Sequence, residues 1–131
     1  MRPILITPDK PFAKNYTHYS TNTFEDSIVG YNLDGSAKQF DGFTFLMQIK
    51  VNASDDTFVI EIPDASFTIT QNQDGIDAGV NNVVEINHTA TDFPITAVGC
   101  YVYDITMTET ASGDVQTIQI GTFEIVENVS R

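Results

Sequence analysis

From residue 24 onward the chain runs in short stretches whose apolar residues recur at every second position. The cleanest is Phe43–Val51, where Phe43, Phe45, Met47, Ile49 and Val51 share one face while Gln48 and Lys50 take the other. Phe24–Leu33 reads as a strand closed by a turn at Asp34-Gly35, and Asp55-Asp56 marks another turn. Phe58, Ile60 and Ile62 alternate up to the stop at Pro63-Asp64, and Phe67 and Ile69 alternate after it. Gln71–Asn82, rich in Gly, Asn and Asp, predicts a loop. Val83–Asn87 predicts a strand, and Ala90–Ala97 a connection. Gly99–Glu109 and Val115–Glu127 predict a hairpin across Thr110–Asp114. No window carries a convincing helical period, and nothing repeats at the spacing of a solenoid. The expectation is an all-β fold, an antiparallel β-sandwich of about 7–9 strands.

The last strand breaks its own pattern. Ile118 and Ile120 have even parity and Phe123 and Ile125 odd parity, so a flat strand would send the two pairs to opposite faces. A β-bulge at Gly121-Thr122 would return all four to the core. The competing account has Ile118 and Ile120 facing a second layer or a partner chain.

Residues 1–23 differ from the remainder. They hold Pro3, Pro8 and Pro11, and three of the four cations before residue 50 (Arg2, Lys10 and Lys14). Proline restricts its own φ and pushes the preceding residue toward extended backbone. The segment therefore predicts one short edge strand, about Ile4–Thr7, followed by an extended N-terminal arm, with the sandwich domain occupying 24–131. Such an arm packs either on its own domain or on a neighbouring subunit. Pro8, Pro11, Phe12, Tyr16 and Tyr19 are its candidate assembly contacts.

Composition narrows the function. Ile and Val together number 25 against 3 Leu, with 16 Thr and 9 Phe, a balance that suits pleated sheet and not helix. At 131 residues the chain fits a single domain. Its net charge of −12 argues against nucleic acid and against anionic membrane surfaces. No apolar run approaches a membrane span, and the N-terminal apolar stretch is too short for a signal-peptide core. The lone Cys100 rules out an internal disulfide and a multi-thiolate zinc site.

Candidate chemistry is thin. There is no Gly-x-Ser-x-Gly elbow, and the spacing gives neither His18 nor His88 a partner for general-base work. Both histidines are expected at the surface or packed beside tyrosine, and Cys100 is expected as a buried, inert thiol. Asn72–Asp77 fails the EF-hand order, because Gly75 comes two residues too early and Val83 stands where the bidentate glutamate belongs. A weak calcium site in loop 71–82 is the remaining metal candidate. Four Asn-x-Ser/Thr sequons, at Asn15, Asn52, Asn87 and Asn128, are explained by the abundance of these residues. No cofactor and no catalytic set is expected.

The C-terminal third carries a resemblance. Gly99-Cys100-Tyr101-Val102-Tyr103-Asp104-Ile105-Thr106-Met107, a polar turn, Val115–Ile125 with its Gly121-Thr122-Phe123-Glu124-Ile125 ending, and a final Asn128-Val129-Ser130-Arg131 follow one pattern. That pattern resembles small Ig-like proteins of tailed-bacteriophage virions, similar to the N-terminal domain of phage baseplate upper proteins. Asp41–Lys50 is similar to an upstream strand of the same family, although Gly42 follows Asp41 directly and the family's intervening positions are missing. The resemblance implies an Ig-like sandwich in a virion component that is assembled in the bacterial cytoplasm. It would work with other virion proteins, as a homo-oligomer or ring at the tail or baseplate, the head–tail junction or the capsid surface. It transfers no catalytic residue.

Tyr101, Tyr103, Ile105 and Met107 share one strand face and are expected to meet Phe43, Phe45, Met47 and Ile49 across the sandwich, with Asp104 on the opposite side. The alternative function is a carbohydrate- or host-receptor-binding module that reads through loops 71–82 and 90–97, with Tyr16, Tyr19 and Tyr31 as stacking platforms. A small enzyme is the third reading.

Overall fold

A computed structural model describes residues 2–7, 10–20, 22–73, 75–89 and 98–127, with Arg2 described in its backbone alone. The described residues form ten strands: β1 (Arg2–Leu5), β2 (Phe12–Ala13), β3 (Tyr16–Tyr19), β4 (Phe24–Tyr31), β5 (Phe43–Lys50), β6 (Ile60–Ile62), β7 (Phe67–Thr70), β8 (Val83–His88), β9 (Gly99–Glu109) and β10 (Val115–Val126). They build two sheets. The smaller has the order β1-β4-β8-β7, and the larger β2-β10-β9-β5-β6, with β3 also paired to β10. Two 3-10 turns, Asp64–Ser66 and Gly75–Asp77, are the helical elements among the described residues.

The sheets enclose one core. Ile4, Phe24, Ile28, Val84, Ile86 and Phe67 come from the smaller sheet; Phe45, Met47, Ile49, Ile62, Tyr103, Ile105, Met107, Ile118, Phe123 and Ile125 come from the larger. Burying a side chain of this size contributes about 1.5–3 kcal/mol, so the alternating pattern of β5, β8 and β9 is what holds the layers together. Phe40 closes one end of the core and is fully buried, because Gly30 leaves room for its ring. A Cβ at Gly30 would lie 3.1 Å from Phe40 Cε1 and closer still to Cζ.

Several expectations change. The sandwich is mixed and not purely antiparallel, since β1 runs parallel to β4, and β2 and β3 run parallel to β10. Residues 2–19 thus contribute strands to both sheets of their own chain, where the sequence reading has one edge strand and a loop. The strand after Asp55-Asp56 is short: Ile60 and Ile62 are buried, but Phe58 lies outside β6 and is 47% exposed.

β5 and β9 are hydrogen-bonded neighbours, with Phe45 beside Met107, Met47 beside Ile105 and Ile49 beside Tyr103. These residues sit side by side on one inner face and not across the sandwich from each other. Identical inward parity is compatible with either arrangement, which is why the pattern could not separate them.

The irregularity in β10 exists, but it falls earlier than Gly121. Pairing with β9 shifts between Thr117 and Gln119, leaving Ile118 as the extra residue, and continues unbroken through Ile120, Gly121 and Thr122. Ile118 and Gln119 are consecutive and both buried, and Ile120 is turned outward at 42% exposure. The bulge therefore places a glutamine in the core at the position the sequence reading gave to isoleucine.

Candidate functional site

Two neighbouring regions are the candidates among the described residues. The first lies where the N-terminal segment crosses β10. The edge formed by β2 and β3 is broken at Lys14-Asn15, opposite Gly121-Thr122. There the Lys14 N–H donates to the Ile120 carbonyl at 3.0 Å and the Thr122 N–H donates to Asn15 Oδ1 at 3.0 Å. The Lys14 carbonyl is aimed inward over Gly121, whose missing side chain makes the approach possible. It accepts from the Tyr103 hydroxyl at 2.6 Å.

Gln119 Nε2 donates to both the Tyr103 hydroxyl, at 3.0 Å, and the Tyr16 hydroxyl, at 2.8 Å. The Tyr16 hydroxyl in turn donates to Asp26 in a short hydrogen bond, and Lys14 Nζ stands 4.0 Å from the same carboxylate and 5.0 Å above the Tyr16 ring. This chain of bonds joins the N-terminal segment to both sheets. Fully satisfied buried networks of this kind fix one arrangement of the strands they connect.

Beside it lie the two histidines. His18 on β3 and His88 at the end of β8 are both buried, which overturns the surface placement, one of the two expected for them. The His18 ring packs edge-on to Phe24 at 5.5 Å and against Phe123 at 5.9 Å, while His88 Nδ1 lies 3.1 Å from Ser66 Oγ. Burial lowers the His18 pKa below 6.5; the nearby His88 lowers it further, and a hydrogen bond to the Asn22 backbone opposes both.

The second region is the outer face of the larger sheet. A groove of about 290 Å³ there is lined by Lys50, Ala53, Val102, Asp104, Ile120 and Thr122. Asp104 does point away from the core, as the sequence reading has it. It stands between Ile120 on β10 and Gln48 on β5. Partial burial raises its pKa, with Lys50 pulling the other way.

The candidate assembly contacts disperse. Tyr16 is buried in the core at 9% exposure, its ring 5.1 Å from Phe24 and 5.2 Å from Tyr103. Phe12 packs partly buried against the core. Pro11 lines a hollow with Lys38, Phe43, Glu109 and Gln116, and Tyr19 is 49% exposed. Pro8 lies outside the described residues.

Cys100, expected to be buried, is exposed at the start of β9 on the outer face, with Sγ 3.9 Å from Glu124 Oε2. A central strand still has an outer side, and the core parity runs through Tyr103 and Ile105. In loop 71–82, Asn72 is buried and its backbone closes the loop with bonds to Val80 and Gly79; Asp74 and the connection 90–97 lie outside the described residues. Among the described residues no three metal-ligating side chains cluster, and no helix is long and apolar enough to cross a membrane.

The sequence reading missed Gln119 and Asp26. Gln119 carried one available signal, a polar residue interrupting an isoleucine-rich strand next to a parity break.

No family model and no curated protein matches the chain. Among solved structures it is similar to the N-terminal domain of phage TP901-1 ORF48, at 10% identity and a TM-score of 0.49, covering 97% of this chain and 98% of that one. It is also similar to part of a family 123 glycoside hydrolase from Clostridium perfringens, at 13% identity and a TM-score of 0.45. That match covers 92% of this chain and 24% of the hydrolase.

Proposed function

We propose that this chain is a structural protein of a tailed-bacteriophage particle and acts by assembly, not catalysis. In this reading it is an Ig-like building block that meets other virion proteins at the tail or baseplate, the head–tail junction or the capsid surface. The observation that carries it is the groove on the outer face of the larger sheet. Ile120 and Val102 border a partly desolvated carboxylate on a face that a solitary sheet would leave polar, making a small hollow that a partner's side chain would fill. The Tyr101-to-Asp104 strand and the β10 ending that resemble virion proteins border the same groove, which supports the same conclusion. The acidic charge would keep free copies soluble before assembly.

The test is direct. Antibody raised against the purified protein should label intact particles at a regular position, and quantitative mass spectrometry of those particles should give a fixed copy number. A chain absent from particles that binds a defined glycan on an array, and loses it when Tyr19 or Tyr31 is changed, would replace this reading with the carbohydrate-binding one.

A further inference from the structure

We propose that residues 2–20 form an exchangeable strap, able to leave their own body and dock in the same register on a second copy of this chain. The inference rests on the assembly reading and names one of its contacts. The strap's pairings with β10 are the most sequence-distant in the fold: Phe12 beside Gln119, and Tyr16, Thr17, His18 and Tyr19 beside Phe123, Glu124, Ile125 and Val126. No hairpin ties the strap to the strands it covers. Its link to the body runs through residues 20–23, so every pairing it makes can be made identically on another copy once that link extends.

The Ser20 N–H bonds the Val126 carbonyl and the Asn22 N–H bonds Tyr19, yet the Ser20 hydroxyl is buried with no hydrogen-bond partner among the described residues. An extended link would return that hydroxyl to water.

Charge adds the complementarity. Residues 1–23 hold Arg2, Lys10 and Lys14 against the single acid Asp9, a formal +2, which leaves −14 on the rest of a chain whose total is −12. A basic strap is attracted to any acidic body, its own or a neighbour's. Tethering favours its own in dilute solution, and the crowding of copies in an assembly removes that advantage.

Thr17 and Glu124 are exposed register partners, with Thr17 Oγ1 3.5 Å from Glu124 Oε1, and report where the strap sits. In full-length Cys100→Ser protein, Thr17→Cys plus Glu124→Cys should close an intramolecular disulfide in dilute solution. Failure to close would remove the pairing on which the proposal stands. The two single variants, distinguished by mass tags, are then mixed at high concentration, warmed below the unfolding transition and oxidised. Exchange predicts that the disulfide joining position 17 of one copy to position 124 of the other exceeds either homodisulfide by about fivefold or more, above the twofold of random pairing. Cross-links in the random ratio would overturn the proposal. Excess cross-linking by a protein that never enters particles would keep the exchange and refute the virion role. Random cross-linking by a protein found in particles would do the reverse.

Discussion

Replacing Gly121 by alanine tests whether the strap is part of the folded body. A Cβ at this position would stand 2.7 Å from the Lys14 carbonyl carbon, closer still to its oxygen, and 3.1 Å from Asn15 Oδ1. Carbon atoms sit comfortably at about 3.5–4.0 Å from one another and only slightly nearer an oxygen, so the still closer carbonyl oxygen forces the backbone at Lys14 to retreat by about 1.5 Å. Three hydrogen bonds depend on the present spacing: Lys14 N–H to Ile120, Thr122 N–H to Asn15 and Tyr103 hydroxyl to Lys14. Each contributes about 0.5–1.5 kcal/mol net, and the Tyr103 hydroxyl is the one left in a dry environment. Against this, alanine in a strand gains about 0.5–1 kcal/mol over glycine.

The balance is a loss of about 1–4 kcal/mol. With a urea m-value of about 1–3 kcal/mol/M, the unfolding midpoint should fall by about 0.3–4 M. Equilibrium unfolding followed by far-UV circular dichroism and tyrosine emission reads this, the chain having no tryptophan. A midpoint within about 0.2 M of the parent, outside the loss that three hydrogen bonds require, would refute the close approach and with it the placement of the strap.

Other outcomes follow from the same geometry. Gly30→Ala drives a methyl into the Phe40 ring and should lower stability by about 1–3 kcal/mol, read as a drop in Tm. Gln119→Ala removes the amide that bridges the Tyr16 and Tyr103 hydroxyls and should cost about 1–3 kcal/mol in denaturant unfolding; no loss would mean the bridge is inconsequential. Burial lowers the folded-state pKa of His18, so the unfolded chain takes up its proton first. Stability from this group is full above pH 6.5 and is lost as pH falls from there through the folded value. His18→Phe should flatten that part of a stability–pH profile, and an unchanged profile would contradict it. Asp104 has the opposite sign, since burial raises its pKa in the folded state and its charged form destabilises at neutral pH. Asp104→Asn should therefore raise the urea midpoint at pH 7, with the gain vanishing below the ordinary carboxylate pKa of 3.8.

The legible parts of this fold are those whose signal is local. β5 shows its inner face in the four alternating residues Phe43, Phe45, Met47 and Ile49, the fifth expected one, Val51, lying beyond the strand and exposed, and β9 and β10 announce a hairpin because a short polar turn joins two such runs. β2 and β3 are different. Their partners lie about a hundred residues away, in parallel orientation, and four polar-aromatic residues such as Tyr16-Thr17-His18-Tyr19 have no local turn to say where they pair.

The break in β10 was visible as a parity change, but its position depended on which residue the core would accept. Gln119 is accepted because two tyrosine hydroxyls meet its amide, a fact of tertiary structure that no pattern of apolar residues contains. The histidines mislead for a related reason. Alternation along β3 already places His18 on the Tyr16 face, but only the packing of β3 over Phe24 and Phe123 turns that face into core. The outer groove was half legible, since the outward parity of Asp104 is plain, whereas its neighbour Ile120 depends on the bulge.

The central claim, that the outer face of the larger sheet is a contact surface, is tested most directly by one substitution. Ile120 is 42% exposed and pairs with Asp104, so Ile120→Glu should lower the urea midpoint of the purified protein slightly and leave the chain folded by circular dichroism. Produced in cells beside the other particle proteins, the variant should enter particles at least about tenfold less than the parent, as expected when a charge is buried at an interface. Normal incorporation of a folded Ile120→Glu chain would contradict the account.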